Sequence, residues 1–215
     1  MNKGFWRLPW RAGFGPGPAR PPVYVPDVDA PALFWSGVAH KQPGRILEAG
    51  TLQSVPGVST HCRGHFPQVA DADYVRVDLI GGTDVDVVAD LHALPASWSG
   101  GFDCFIANAV WEHLARPWIA AREVARVLAP GGVFLIGTHQ CFPIHGYPSD
   151  FFRFSREALR LLFEDAGLVV DAADYQSRCM ILPPAEVLDP AQVAGWNKKY
   201  PSFNLVFATG HKPAE

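Results

Sequence analysis

The stretch from Phe102 to Thr138, FDCFIANAVWEHLARPWIAAREVARVLAPGGVFLIGT, constrains the fold more than any other part of the chain. It spells a strand, a loop, a helix and a second strand without interruption. Phe102 to Ala107 is a short apolar run, and Pro117 is suited to the first turn of a helix. Trp118, Ala121, Ala125 and Leu128 then recur at spacings of three, four and three, which predicts a buried helical face, with Arg122, Glu123 and Arg126 directed outward. Pro130, Gly131 and Gly132 are expected to end that helix sharply, ahead of a buried strand from Val133 onward.

The same alternation extends in both directions. Arg45–Gly50 (RILEAG), Tyr74–Asp78 (YVRVD) and Val85–Asp90 (VDVVAD) read as three strands before Phe102, and Val133–Thr138 as the fifth. Ser155 can cap a helix with Leu159, Leu162, Phe163 and Ala166 on its apolar face and Gly167 as its stop. Leu168–Tyr175 and Asn204–His211 complete seven strands, the last following a Pro-rich insertion that contains residues 182–199. Strands alternating with helices or long connections predict an α/β, doubly wound, mostly parallel sheet. Ligands of such sheets lie beyond the carboxyl ends of the strands, near the point where strand order reverses.

Residues 1–43 differ in character. GPGPARPP from Gly15 to Pro22 cannot hold a helix or an inner strand, so this segment is expected to be an N-terminal arm or lid, with one domain over 44–215. Trp6, Trp10 and Phe14 beside Lys3, Arg7 and Arg11 would pin the arm to the core, cover a substrate or touch a membrane surface. With 215 residues, 48% of them hydrophobic and 18% charged, the chain can bury one substantial core. No apolar run reaches the roughly 18 residues of a membrane span. A net charge of −3 gives no general attraction for nucleic acid. Four scattered cysteines and no secretory apolar region after Lys3 point to free thiols in the cytoplasm.

The predicted strand ends carry a series of polar residues: Glu48 and Gly50 after the first, Asp78 after the second, Asp90 after the third and Asn108 after the fourth. A carboxylate at the second strand end can accept hydrogen bonds from two ribose hydroxyls, and one at the third can meet an adenine amino group. A strand ending in Phe102-Asp103, a helix ending in Arg126-Val127-Leu128 and the Pro130-Gly131-Gly132 turn together resemble the class I S-adenosylmethionine-dependent methyltransferases. Val85–Pro95 (VDVVADLHALP) and His145–Phe154 (HGYPSDFFRF) resemble one branch of the type 11 methyltransferases, and the likeness spans about residues 45–168. It implies a Rossmann-like sheet of seven strands with the last antiparallel, and S-adenosyl-L-methionine as cofactor. Asp78 is then matched to the ribose, Asp90 and the backbone of Leu91 to the adenine, Asn108 and Ala109 to the methionine part, and Glu48 with Gly50 to the first motif. One departure stands out: the family's second glycine is Leu52 here, which must reroute the loop or shift the methionine part. Between Gln53 and Asp73, Pro56, Gly57, Gly64 and Pro67 predict a short or absent first helix.

Methyl transfer from a sulfonium is an in-line displacement, and an alcohol acceptor must lose its proton to a nearby base. Candidate groups follow the fourth and fifth strands. His145 is the first choice as base with Asp150 orienting it, and His113 is the rival. His139, Tyr147 and Arg153 would bind the acceptor, with an ion pair tying the loop to the following helix as the other reading of Arg153. His61, Cys62 and His65, and likewise His139, Cys141 and His145, lack a matching second half, so no metal is expected. The absence of a Cys-x-x-x-Cys-x-x-Cys run argues against iron–sulfur radical use of the cofactor. The expected activity is O-methylation of a small molecule or saccharide; the oligomeric state is not legible. Two alternatives remain. One is a non-catalytic domain that binds cofactor or a partner, suggested by Leu52. The other is a nicotinamide-dependent dehydrogenase, disfavoured because no Gly-x-Gly-x-x-Gly follows the first strand.

Overall fold

The computed structural model describes residues 24–25, 27–146, 148–182 and 189–214. Most of the expected N-terminal arm, including Trp6, Trp10 and Phe14, and also Tyr147, lie outside the described residues. Seven strands form one sheet: β1 (Ile46–Ala49), β2 (Tyr74–Asp78), β3 (Val87–Val88), β4 (Phe102–Asn108), β5 (Leu128–His139), β6 (Val169–Cys179) and β7 (Ser202–His211). Their order is β3-β2-β1-β4-β5-β7-β6, with β7 antiparallel to both neighbours and the other pairs parallel. This is the doubly wound, Rossmann-like α/β sheet expected. Among the described residues four helices accompany it: α1 (Ala30–Lys41), α2 (Pro117–Val127), α3 (Arg156–Glu164) and α4 (Pro190–Lys199). None of the described helices is long and apolar enough to cross a membrane.

Inner parallel strands are buried on both faces, so alternate residues feed two cores. Leu47, Ala49, Phe105, Ala107, Phe134 and Ile136 join the core beneath α2 and α3. Ile46, Cys104, Ile106 and Leu135 join Phe34, Val38, Phe66 and Tyr74 on the opposite face. The connection from β1 to β2 holds only short 3-10 turns at Arg63–His65 and Asp71–Asp73, as its prolines and glycines predict.

Four details differ from the sequence reading. First, α1 forms within the stretch expected as an arm: the Asp29 side chain accepts the Ala32 N–H, and Ala30, Phe34 and Val38, four residues apart, are buried. Second, the buried face of α2 is Ala120, Ala121, Val124 and Val127, while Trp118 is exposed. Glu123 and Arg126 are partly buried instead of free in solvent. Glu123 accepts the Leu94 N–H and pairs with Arg126, which donates to the Leu94 carbonyl and the Ser99 hydroxyl, so the pair holds the loop before β4. Third, α2 ends before the Pro-Gly-Gly turn: Leu128 is already extended and pairs with Phe102. Gly131 (φ +75°) and Gly132 serve a kink early in β5, where a Cβ on Gly132 would lie 2.9 Å from the Ala129 carbonyl. Fourth, β3 shrinks to two residues because the chain turns at both ends, through Asp84 (φ 68°) before it and an Ala93 N–H to Asp90 carbonyl bond after it.

Phe34 is the main apolar anchor of α1 and is only 3% exposed. Phe34→Ala should lower unfolding free energy by about 3–5 kcal/mol, as for other buried phenylalanines. Urea denaturation checks this; a loss under about 1 kcal/mol would mean that α1 is not part of the cooperative core.

Candidate active site

Parallel pairing of β3, β2, β1 and β4 in neighbouring positions brings their carboxyl ends to one edge of the sheet. Gly50 follows β1 with φ +76°, and a Cβ there would lie 2.2 Å from Val110 Cγ2, so the loops after β1 and β4 approach as only glycine allows. Thr51 is buried, and its hydroxyl has no hydrogen-bond partner among the described residues. Leu52, standing where a second glycine was expected, is accommodated without left-handed backbone. Its N–H donates to Asp78 Oδ2 (3.1 Å), and its side chain lies over Gly82, where a Cβ would be 2.5 Å from Leu52 Cδ1. A missing glycine in one loop is thus matched by a glycine in the facing loop. Asp78 Oδ1 accepts the Ile80 N–H, so each oxygen has one backbone donor and capacity for more.

Asp90 lies at the exposed end of β3, and its Oδ1 takes the His92 N–H (2.8 Å) and Nδ1 (2.6 Å). Partial burial raises its pKa, but the bonds from His92 outweigh that and hold it below the ordinary value. The next residue, Leu91, is buried. Asn108 ends β4 and donates weakly to Cys62 Sγ (3.9 Å), and Ala109 adopts left-handed φ 53° with its N–H on the Gly137 carbonyl. Glu48 behaves differently. It is 3% exposed and accepts from the Cys62 N–H and the Tyr74 hydroxyl. Burial pushes its pKa up, against those bonds. Its carboxylate therefore anchors the irregular β1–β2 connection to the sheet.

A second cluster sits at the ends of β4 and β5. The 3-10 turn Trp111–His113 after β4 sets Glu112 in the interior with no exposed side-chain surface. Thr138 of β5 donates to Glu112 Oε2 (2.7 Å). Around Oε1 stand three imidazoles: His139 Nε2 at 3.1 Å, and His113 Nε2 and His145 Nε2 each at 3.9 Å. Oε1 has no aligned hydrogen bond, and neither has buried His139 Nδ1. Burial raises the Glu112 pKa, but His139 and Thr138 outweigh it, so the carboxyl lies below its ordinary value and is ionised at neutral pH.

The loop after β5 is held by Asp150. It accepts the His145 N–H (2.8 Å), lies 3.3 Å from His145 Nδ1, and pairs in two-pronged fashion with Arg153. The Arg153 guanidinium keeps Asp150 well below the usual carboxylate range. Arg153 also donates to the Phe142, Pro143 and Phe152 carbonyls, so its donors are spent inside the loop and not on the helix that follows. His113, His139, His145 and Asp150 thus converge as the sequence suggested. Glu112, at the centre, was missed; its place directly before His113, at the exit of a buried strand, was the available signal.

A family model described as a methyltransferase domain matches residues 63–136. A methyltransferase of Haloferax volcanii, solved in complex with the activator Trm112, has a TM-score of 0.55 at 20% identity over 80% of this chain and 83% of its own. A SAM-dependent methyltransferase from Archaeoglobus fulgidus gives 0.54 at 13% identity over 84% and 94%. The 1,6-didemethyltoxoflavin-N1-methyltransferase of Burkholderia thailandensis, solved with S-adenosylhomocysteine, gives 0.55 at 14% identity over 82% and 74%. The chain shares the fold of these methyltransferases, and the methyltransferase-domain model matches about a third of it. Comparison with curated sequences gives no match. The strand-end edge has features that fit S-adenosylmethionine: a glycine-only close approach at Gly50, a buried hydroxyl at Thr51 without a partner among the described residues, and two carboxylates with spare acceptor capacity.

Gly50→Ala should destabilise the domain by more than the ~1–2 kcal/mol that left-handed backbone alone costs a residue with a Cβ. Val110→Ala in the same chain should restore the part due to collision. Equal losses in the single and double variants, measured by urea denaturation, would show that the two loops do not meet as described.

Proposed function

We propose that the protein transfers the methyl group of S-adenosylmethionine to a hydroxyl of a small molecule or saccharide. The observation that carries this reading is the cluster of Glu112, His113, His139 and His145 at the exits of β4 and β5, beside the cofactor edge. Asp78 holds the ribose, Asp90 and the Leu91 backbone hold the adenine, and Gly50, Asn108 and Ala109 border the methionine part. Glu48 supports this edge from behind by fixing the β1–β2 connection. When bound, the cofactor supplies an electrophilic methyl carbon, and the chain's task is to present an oxygen in line with it, roughly 3 Å away.

His145 is the most open of the three histidines, with 30% of its side chain exposed, and it receives the acceptor proton. Asp150, tied to Arg153, is too weak a base for that task and positions His145 through the loop. Buried Glu112 stabilises positive charge gathering on the imidazoles. Binding at this rim leaves the buried faces of α2 and α3 as scaffold.

Asp78→Ala should weaken S-adenosylhomocysteine binding on the order of 10- to 100-fold, the loss expected when a charged acceptor of two hydrogen bonds is removed. Calorimetry reads this directly, and unchanged affinity would place the ribose elsewhere. His145→Ala should retain cofactor affinity and lose methyl transfer from labelled S-adenosylmethionine into an extract of small molecules. Turnover that survives in His145→Ala but disappears in His113→Ala would give His113 the base's role.

A further inference from the structure

We propose that Glu112, His113 and His145 form a binding site for one divalent metal ion of the zinc or iron(II) kind. Among the described residues they are the one group of three metal-ligating side chains whose ligand atoms all lie within 4.8 Å of one another. Spacing along the chain hides the set, since Glu112 and His113 come from the exit of β4 and His145 from the loop after β5.

The hydrogen bonds of the two rings carry the argument further. His113 Nδ1 lies 2.8 Å from the Ser149 carbonyl, and His145 Nδ1 lies 3.1 Å from the Pro143 carbonyl. A carbonyl can only accept, so each Nδ1 carries the proton and each neutral ring turns an unprotonated Nε2 towards Glu112 Oε1. Metal-binding histidines are held in this way, with the outer nitrogen donating to a carbonyl or carboxylate. Oε1 itself is fully buried and without an aligned hydrogen bond, although Thr138 satisfies Oε2. With both rings neutral, three lone-pair atoms face one another, an arrangement that a shared cation relieves. Ligand atoms around a tetrahedral ion with bonds of about 2.1 Å lie about 3.4 Å apart; the two separations from Oε1 are 3.9 Å and the third is within 4.8 Å, so the set closes on an ion by drawing the two rings together. Two imidazoles and one carboxylate suit zinc or iron(II) and leave positions open for an oxygen ligand. His139 Nε2, 3.1 Å from the same oxygen, is the next donor within reach.

The site stands on this geometry, and only its role rests on the methyl-transfer reading: in the loaded protein His145 is a ligand, and the ion would bind the acceptor oxygen and make its hydroxyl acidic enough to lose the proton to water, so the base role given to His145 above belongs to the metal-free chain. The test is a titration of the chelator-treated full chain with Co2+, a visible-light reporter for such sites. One Co2+ per chain should bind, give a visible absorption band and be displaced by Zn2+. The double variant His113→Ala/His145→Ala, and separately Glu112→Gln, should weaken Co2+ binding at least about 100-fold, more than loss of an outer partner typically costs. S-adenosylhomocysteine affinity should stay within about threefold. Should buried Glu112→Gln fail to fold, the double variant decides alone. No band, or Co2+ affinity unchanged in the double variant, overturns the proposal, the second result assigning the cluster to imidazolium–carboxylate pairing. Metal binding without S-adenosylhomocysteine binding by the intact chain would uphold the site and overturn the methyl-transfer reading instead.

Discussion

Because β1 lies in parallel register between β2 and β4, loops far apart in sequence leave the sheet along a single edge. Ala49 pairs with Val77 on one side and Ala107 on the other, so Gly50, Asp78 and Asn108 emerge side by side. The same geometry carries Glu112 and His139 past the next pair of strand ends, where β4 and β5 run in parallel to Asn108 and Gly137. The strand-end edge and the cluster of Glu112 and the histidines are thus consecutive parts of one rim, and their separation is set by the spacing of hydrogen-bonded strands. Small changes in side chains leave this intact; a change in register would dismantle both at once.

Two buried carboxylates divide the support of that rim. Glu48, on the α1 face, is spent on Tyr74 and Cys62 and replaces the missing first helix by tying an irregular connection to β1. Glu112 is satisfied on one oxygen only and surrounded by histidines on the other. A buried ionised oxygen without a partner is costly, which is why natural structures leave so few. The contrast separates an acid whose two oxygens are spent on structure from one with acceptor capacity left on Oε1.

Much of this was legible in the residues. β2 has the bounds read from YVRVD, because its aromatic and β-branched residues favour a strand and Asp78 ends the run. Ser155 capped α3, whose side chain accepts the Ala158 N–H. Other features depended on contacts remote in sequence. Leu52 is accommodated only because Gly82 faces it, and Arg153, expected either to bind the acceptor or to tie the loop to the next helix, gives its donors to four groups of its own loop. Trp118 was misassigned to the core because a spacing of three or four fixes a helical stripe without fixing its centre, and here the stripe centres on Ala121 and Val124. Glu112 escaped notice because a single acid before a histidine carries no pattern; only the fold brings the other two histidines to it.

The most direct test of a continuous rim is a crystal structure of the chain with S-adenosylhomocysteine. The account predicts the nucleoside along the ends of β1, β2 and β3, with the sulfur turned towards the Glu112 and histidine cluster. Between them there should be room for a methyl group and an acceptor atom at roughly 3 Å contact. A ligand whose sulfur points away from that cluster, or one bound at another edge of the sheet, would contradict it.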